Sequence, residues 1–228
     1  MYTVKQIREL VKEMYLSGNF EKDKTGCDVI EILGLSFIAD EETIFGKVNE
    51  EYVQKELEWY LSQSLNVYDI PNTPKIWQQV ATKDGRINSN YGYLIFSEEN
   101  GNQFKHVVQT LAKDKNSRRA TMVYTRPSIQ TEYNTDGMSD FICTNAVNYF
   151  IRNNKLHCVV QMRSNDMWAG YRNDYAWQKW VLNKVVTELN GIGGEIEVGD
   201  IIWNAASLHL YERQFGLVQK FINTNEFK

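Results

Sequence analysis

An α/β fold, in its layered α+β form, is what the sequence predicts, as one domain over residues 1–228. Three observations lead there. β-branched and alternating runs typical of strands are interspersed, in mixed order, with segments of helical period. At 228 residues and 43% hydrophobic, the chain can build one large core and has little left for a second. No repeat, low-complexity tract or Pro/Ser-rich linker divides it.

In order, "MYTVKQIRELVKEMYLSG" reads as an amphipathic helix, and "DVIEILGLSFIAD" (Asp28–Asp40) as a strand. "NEEYVQKELEWYLSQSL" (Asn49–Leu65) has helical period. "SRRATMVYT", "CTNAVNYFI" and "LHCVVQMRS" predict three strands, the last two joined by the polar turn "RNNK". "DYAWQKWVLNKVVTEL" predicts a helix that the glycines of "NGIGG" end. "DIIWNAASLHLY" is a strand before a short final helix, for four or five helices in all. "NGIGGEIEVGD" lacks both a preceding strand and GxGxxG spacing, so it is no dinucleotide loop.

Composition narrows function. A net charge of −4 argues against wrapping a nucleic-acid backbone, so any phosphate must be held by locally concentrated cations. Six Trp and thirteen Tyr suit large flat contacts, with a planar ligand or another subunit. Cys27, Cys143 and Cys158 form no CxxC pair and have no His-rich neighbourhood, which predicts reduced thiols in a cytoplasm and no metal site. The N-terminal helix is no signal peptide, and no apolar run is long enough to span a bilayer.

Several residues could carry chemistry. Cys143 opens a strand just after the flexible "TDGMSDFI"; it is either a nucleophile facing a cleft or a small buried residue. Cys158, in mid-strand beside Val159 and Val160, reads as core. On the Asn49–Leu65 helix, Val53, Leu57, Tyr60 and Leu61 form the apolar stripe, opposite Glu51, Gln54, Lys55 and Glu58. Glu56 falls inside that stripe. An inward carboxylate is either a general acid/base with a raised pKa or a structural acceptor for buried donors. Arg118 and Arg119 at a loop end, and Arg163 with Ser164 at a strand end, could each hold a phosphate or simply be solvated. His209 and Tyr211 share one side of a strand, either to bond a sugar hydroxyl or as half-buried packing. "MRSNDMWAGYRNDYAWQ" (Met162 to Gln178) crowds Arg163, Asp166, Arg172 and Asp174 among amides and aromatics, as a polar site would.

Together these residues resemble a known family. "CTN", "MRSND", "SLHLY", "DKTG", "KELEWYL", "KIW" and "SRR" occur in the order and spacing of the thymidylate synthase superfamily, over nearly the whole chain. "IFG", "DIP", "INSNYG", "YTRPS", "DGMSDF" and "RNDYAWQK" look like its deoxycytidylate (dCMP) 5-hydroxymethylase branch. The resemblance implies a thymidylate synthase-like fold, a mixed β-sheet with flanking helices, packed by a sheet face into a homodimer. It implies Cys143 as nucleophile and Glu56 as proton carrier, with Asn165 at the substrate. Lys24, Arg163 and Ser164 would hold the phosphate, with Arg118 and Arg119 reaching in from the partner subunit. His209 and Tyr211 would hold the sugar, and Asp166 and Trp77 the folate, 5,10-methylenetetrahydrofolate.

The departures bear on substrate. Synthases read the uracil edge with an Asn; the matching position here is Asp174. A carboxyl accepts from cytosine N4–H₂ and, when protonated, donates to N3, whereas an ionised carboxylate opposes uracil O4. Thr144 follows the nucleophile where synthases have His, Met162 stands where they often have Gln, and no counterpart of their C-terminal tail is expected. The resemblance thus implies hydroxymethylation of dCMP. The rival implications are a CMP hydroxymethylase, a thymidylate synthase acting on dUMP, and a non-catalytic nucleotide binder.

Overall fold

The computed structural model describes all residues, 1–228. β1 (Tyr2–Thr3) leads into α1 (Val4–Leu16), where Thr3 and Gln6 cap each other reciprocally. β2 (Glu21–Lys22) and β3 (Asp28–Ile38) follow, then α2 (Glu50–Ser62), α3 (Lys75–Val80), α4 (Tyr91–Phe96) and α5 (Gln103–Lys113). β4 (Thr121–Val123) and α6 (Ile129–Glu132) precede the hairpin of β5 (Thr144–Arg152) and β6 (Lys155–Met162). β7 (Asn165–Asp166), α7 (Ala169–Gly191), β8 (Glu197–Tyr211) and α8 (Phe215–Thr224) complete the chain.

The strands form one mixed sheet in the order β1-β3-β8-β6-β5-β4, with β2 beside β3 and β7 beside β8. β8 is central: it runs antiparallel to β3 and parallel to β6. Asn153 and Asn154 sit at φ 52° and 58°, the left-handed pair that closes a two-residue hairpin turn, so "RNNK" turns as its composition predicts. Burial alternates along the strands. Val147, Tyr149, Cys158, Val160, Ile201 and Trp203 are buried with the inner face of α7, including Val181, Leu182 and Val185. On the other face, the paired row Ile38, Ile202, Val159 and Asn148 is only half-buried. The chain therefore covers one face of the sheet fully and the other only in part.

Five helices have ten or more residues, of which α5, with Phe104, Val107 and Leu111 buried, is not among the helices expected above; α3, α4 and α6, of four to six residues, are too short to show a period. α7 also starts at Ala169, five residues before the expected Asp174. Its first turn carries Gly170 and Arg172, which hide the amphipathic pattern, and the carboxylate of Asp166 receives the amides of Trp168, Ala169 and Gly170 there. No helix is long and apolar enough to cross a membrane.

Candidate active site

The hairpin register builds the first half of the site. Thr144 pairs with Met162, so the residues just outside that pair, Cys143 and Arg163, lie side by side, with the Arg163 amide donating to the Cys143 carbonyl at 2.9 Å. The Arg163 guanidinium is turned onto the same loop. Nε donates to the Ile142 carbonyl at 3.0 Å and Nη2 to that of Phe141 at 2.7 Å, with Nη2 3.5 Å from the Cys143 sulfur. Cys143 is half-buried. Burial pushes its thiol up to about 11, while Arg163 pulls the other way and the charges of Asp174 and Asp140 add to the rise. Cys158, by contrast, is fully buried core, as its mid-strand position predicts.

The loop before Cys143, read as flexible from "TDGMSDFI", is instead anchored. Buried Asp140 accepts from the Asn88 and Ser89 amides at 2.6 and 2.8 Å and from the Ser89 hydroxyl at 2.6 Å. Three donors to one carboxylate fix the approach of the thiol, a role that a turn-rich sequence conceals because the donors lie about fifty residues upstream.

β7 builds the second half. Its pairing with β8 sets Asn165 beside Leu208 and Asp166 beside His209. Asn165, buried, donates from Nδ2 to Oδ2 of Asp174 at 2.8 Å. Asp174 is half-buried, and its carboxyl is raised to about 8, first by burial and then by the Glu56 charge; Asn165 and the Tyr91 hydroxyl restrain the rise. Burial lowers the His209 imidazole from its ordinary value, and its ring meets Tyr211 edge-on at 4.9 Å. Ser164 is half-buried at the end of β6. Asp166 spends three of about four acceptor positions on the α7 amides, leaving one on Oδ1 for a ligand.

α2 supplies the third part. Glu56 is 7% exposed, and burial raises its carboxyl to about 7. The Tyr52 hydroxyl donates to it at 2.8 Å and in turn accepts from Trp77 Nε1 at 3.0 Å, so three residues form one hydrogen-bonded chain. The buried side of α2 is rotated from the expected stripe. Trp59 and Tyr60 join Glu56 inside, whereas Leu61 is 43% exposed, because α4 packs across Gly92 onto the Tyr60 end of the helix. Tyr91 stacks on Tyr60 at 5.2 Å, and Thr144 donates to its hydroxyl at 3.0 Å.

The remaining expected residues divide by place. Lys24 is exposed in the turn between β2 and β3, near the Tyr211 end of β8, where Val29 pairs with Tyr211. Arg118 and Arg119 are exposed, and neither guanidinium has an ion pair or hydrogen bond within the chain. They precede Ala120, whose carbonyl bonds the Tyr149 amide, six residues along β5 from Cys143. That is about 20 Å of extended strand, too far to reach the thiol of the same chain. Arg172, left without a role by sequence, ties α7 to the loop before α2: Nη1 donates to the Lys47 carbonyl at 2.6 Å and the guanidinium lies over Trp168 at 4.8 Å. Trp177 is buried and Trp180 half-buried. Tyr52, Tyr91 and Asp140 were not singled out. "INSNYG", with three amide or hydroxyl residues before a tyrosine, is the available signal for Tyr91 and for the donors that Asp140 meets, Asn88 and Ser89.

A neutral-leaning carboxyl pair, a thiol beside an arginine and a His–Tyr wall thus meet at the ends of β5, β6 and β8. The thymidylate synthase family model matches residues 5–228. The chain belongs to the thymidylate synthase family. Within it, the chain is 54% identical to the deoxycytidylate 5-hydroxymethyltransferases of Enterobacteria phages T2 and T4, over 98% of this chain and 92% of each relative. A thymidylate synthase of Francisella tularensis subsp. holarctica is 25% identical over 95% of this chain and 83% of its own length. Thermostable thymidylate synthase A from Bacillus subtilis superposes with a TM-score of 0.75 at 20% identity, covering 99% of this chain and 86% of that one. That likeness shows the mixed-sheet fold.

Proposed function

We propose that residues 1–228 act as a single domain that is a deoxycytidylate 5-hydroxymethyltransferase, converting dCMP, 5,10-methylenetetrahydrofolate and water to 5-hydroxymethyl-dCMP and tetrahydrofolate. The observation that carries the reading is Asp174: a carboxyl raised to about 8 stands neutral at physiological pH and can both accept from N4–H₂ and donate to N3 of cytosine. The 54% identity to the phage hydroxymethyltransferases supports it.

In this reading Cys143 gives up its proton to solvent, with Arg163 3.5 Å from the sulfur favouring the thiolate. The sulfur adds to pyrimidine C6 and makes C5 nucleophilic, while Asp174 stabilises the charge that develops on N3 and N4. The bound folate supplies the one-carbon unit at C5. Glu56, raised to about 7, is poised to take and return protons, through Tyr52 or through water. Arg163, Ser164 and Lys24 anchor the phosphate, with Arg118 and Arg119 of a second copy; His209 and Tyr211 meet the sugar. The residues assigned to folate suit it: Trp77 offers a half-buried ring and Asp166 a remaining acceptor position. Asn173 Oδ1 and Arg172 Nε, buried without partners in the chain, are further polar groups on that side. The half-buried sheet face and the separation of Arg119 from Cys143 along β5 support a homodimer in which each subunit completes the other's site.

The test is to incubate the protein and methylenetetrahydrofolate with C5-tritiated dCMP, CMP or dUMP, and to identify the product. Tritium release from dCMP with a hydroxymethylated product is expected. Release confined to dUMP with a methylated product, or no turnover of any nucleotide, would sink the proposal.

A further inference from the structure

A neutral carboxyl resembles an amide: one oxygen donates, the other accepts, and the proton can occupy either. A protonated Asp174 left to itself could therefore read cytosine, with the proton on the oxygen facing N3. It could equally read uracil, with the proton on the oxygen facing position 4. Burial alone does not choose between them.

Asn165 does. It is 2% exposed, and its Nδ2 donates to Oδ2 of Asp174 at 2.8 Å. An amide N–H prefers a carbonyl-type oxygen to a hydroxyl, so this bond keeps the proton off Oδ2 and confines it to Oδ1. Both partners are held. β7 fixes Asn165 opposite Leu208, and Asp174 stands in the second turn of α7, whose start Asp166 caps. Gly170 packs against the pair: a Cβ there would lie 3.4 Å from Asn165 Nδ2 and 3.9 Å from Asp174 Oδ2. The Oδ1 of Asn165 has no partner in the chain, so the bond to Asp174 is the one hydrogen bond its side chain makes there.

We infer that Asn165 is a specificity-determining positioning residue, holding Asp174 Oδ2 as an acceptor so that the acid presents the hydrogen-bond order of cytosine and not that of uracil. The inference rests on the dCMP reading, in which Oδ2 faces N4 and the Oδ1 hydroxyl faces N3. With dUMP the same order sets Oδ2 against O4 and the hydroxyl against N3–H, acceptor on acceptor and donor on donor. Selectivity then persists below the pH at which Asp174 ionises, where charge repulsion of O4 no longer operates.

The experiment is the ratio of kcat/KM for dCMP to that for dUMP, by C5-tritium release, in wild type and Asn165→Ala from about pH 6 to about pH 9. Glu56 and Tyr60 from α2, Tyr91 from α4, Cys143 before β5 and Asp166 from β7 all act electrostatically on Asp174 or feel its charge. Glu56 shares the pH range, but it serves both nucleotides and so cancels in the ratio. The ratio should fall roughly tenfold or more below pH 8 through a gain in dUMP exchange, and the gain should fade above pH 8 as Asp174 ionises. Parallel losses for both nucleotides, with an unchanged ratio, would overturn the inference. If Asn165→Ala shows no cooperative thermal transition, Asn165→Ser, which keeps a shorter donor, should give an intermediate ratio; the wild-type ratio there overturns it as well. A wild-type preference for dUMP would instead remove the dCMP reading itself, before any variant is compared.

Discussion

At the scale of residues, the site runs on groups that burial has moved. Asp174 and Glu56 are raised to about 8 and about 7, so the folded protein binds protons there that the unfolded chain has released above about pH 4. Their contribution to stability is therefore greatest in acid and is lost as pH rises through the folded values. Asp174→Asn should raise the thermal midpoint by a few degrees at about pH 8.5, the advantage shrinking toward about pH 4.5; a constant difference across that window would refute the assignment. Glu56→Gln keeps the shape and the Tyr52 bond but cannot titrate. It should lower turnover of dCMP on the order of 100-fold or more, with nucleotide binding retained in a calorimetric titration. The inward carboxylate of Glu56 was legible as a glutamate inside an apolar stripe, whereas Asp174 was marked only by the resemblance, as the counterpart of the synthases' Asn. Tyr52 and Tyr91 were not legible, because a tyrosine hydroxyl gives no sign of its partner until the helices are packed.

At the scale of elements, precise contacts outside the reacting groups hold them in place. Gly92 of α4 lies so close to the Tyr60 carbonyl of α2 that an added Cβ would be 1.8 Å from it. Gly92→Ala must separate the two helices and with them Tyr91 from Tyr60, so a loss on the order of 3 kcal/mol or more is expected in denaturant unfolding. Asp140→Ala leaves the Asn88 and Ser89 amides without their acceptor and frees the loop that carries Cys143. Stability should fall by about 2 kcal/mol, and alkylation of Cys143 by a small thiol reagent should quicken. Strands β3, β4, β5, β6 and β8, α1, α2 and the end of α7 followed from periodicity and turn residues, whereas the two-residue strands β1, β2 and β7 are too short to show a pattern. The start of α7 did not follow, since its cap is a side chain three residues before the helix and not a residue at its boundary. The anchored loop before Cys143 was misread for the same physical reason: its order comes from partners distant in sequence.

At the scale of the whole molecule, the proposal is that a second copy completes the site. The chain's sheet leaves the face bearing Ile38, Ile202 and Val159 half-buried, and its free arginines, Arg118 and Arg119, stand at the end of β5 remote from Cys143. Only the resemblance suggests a task in a partner's site for these arginines, because no local pattern marks a residue as serving another subunit. Mixing Cys143→Ser with an Arg118→Ala and Arg119→Ala double variant, both inactive alone, should restore about a quarter of wild-type activity after subunit exchange, since half of the mixed dimers' sites are intact. No recovery would mean that each chain builds its own site. The central claim, that a neutral carboxyl at position 174 selects the base, is tested most directly by turnover of the assembled enzyme. The measurement is kcat/KM for dCMP and for dUMP in wild type and in Asp174→Asn. Wild type should prefer dCMP and Asp174→Asn should shift the preference toward dUMP; selectivity left unchanged by the substitution would contradict the account.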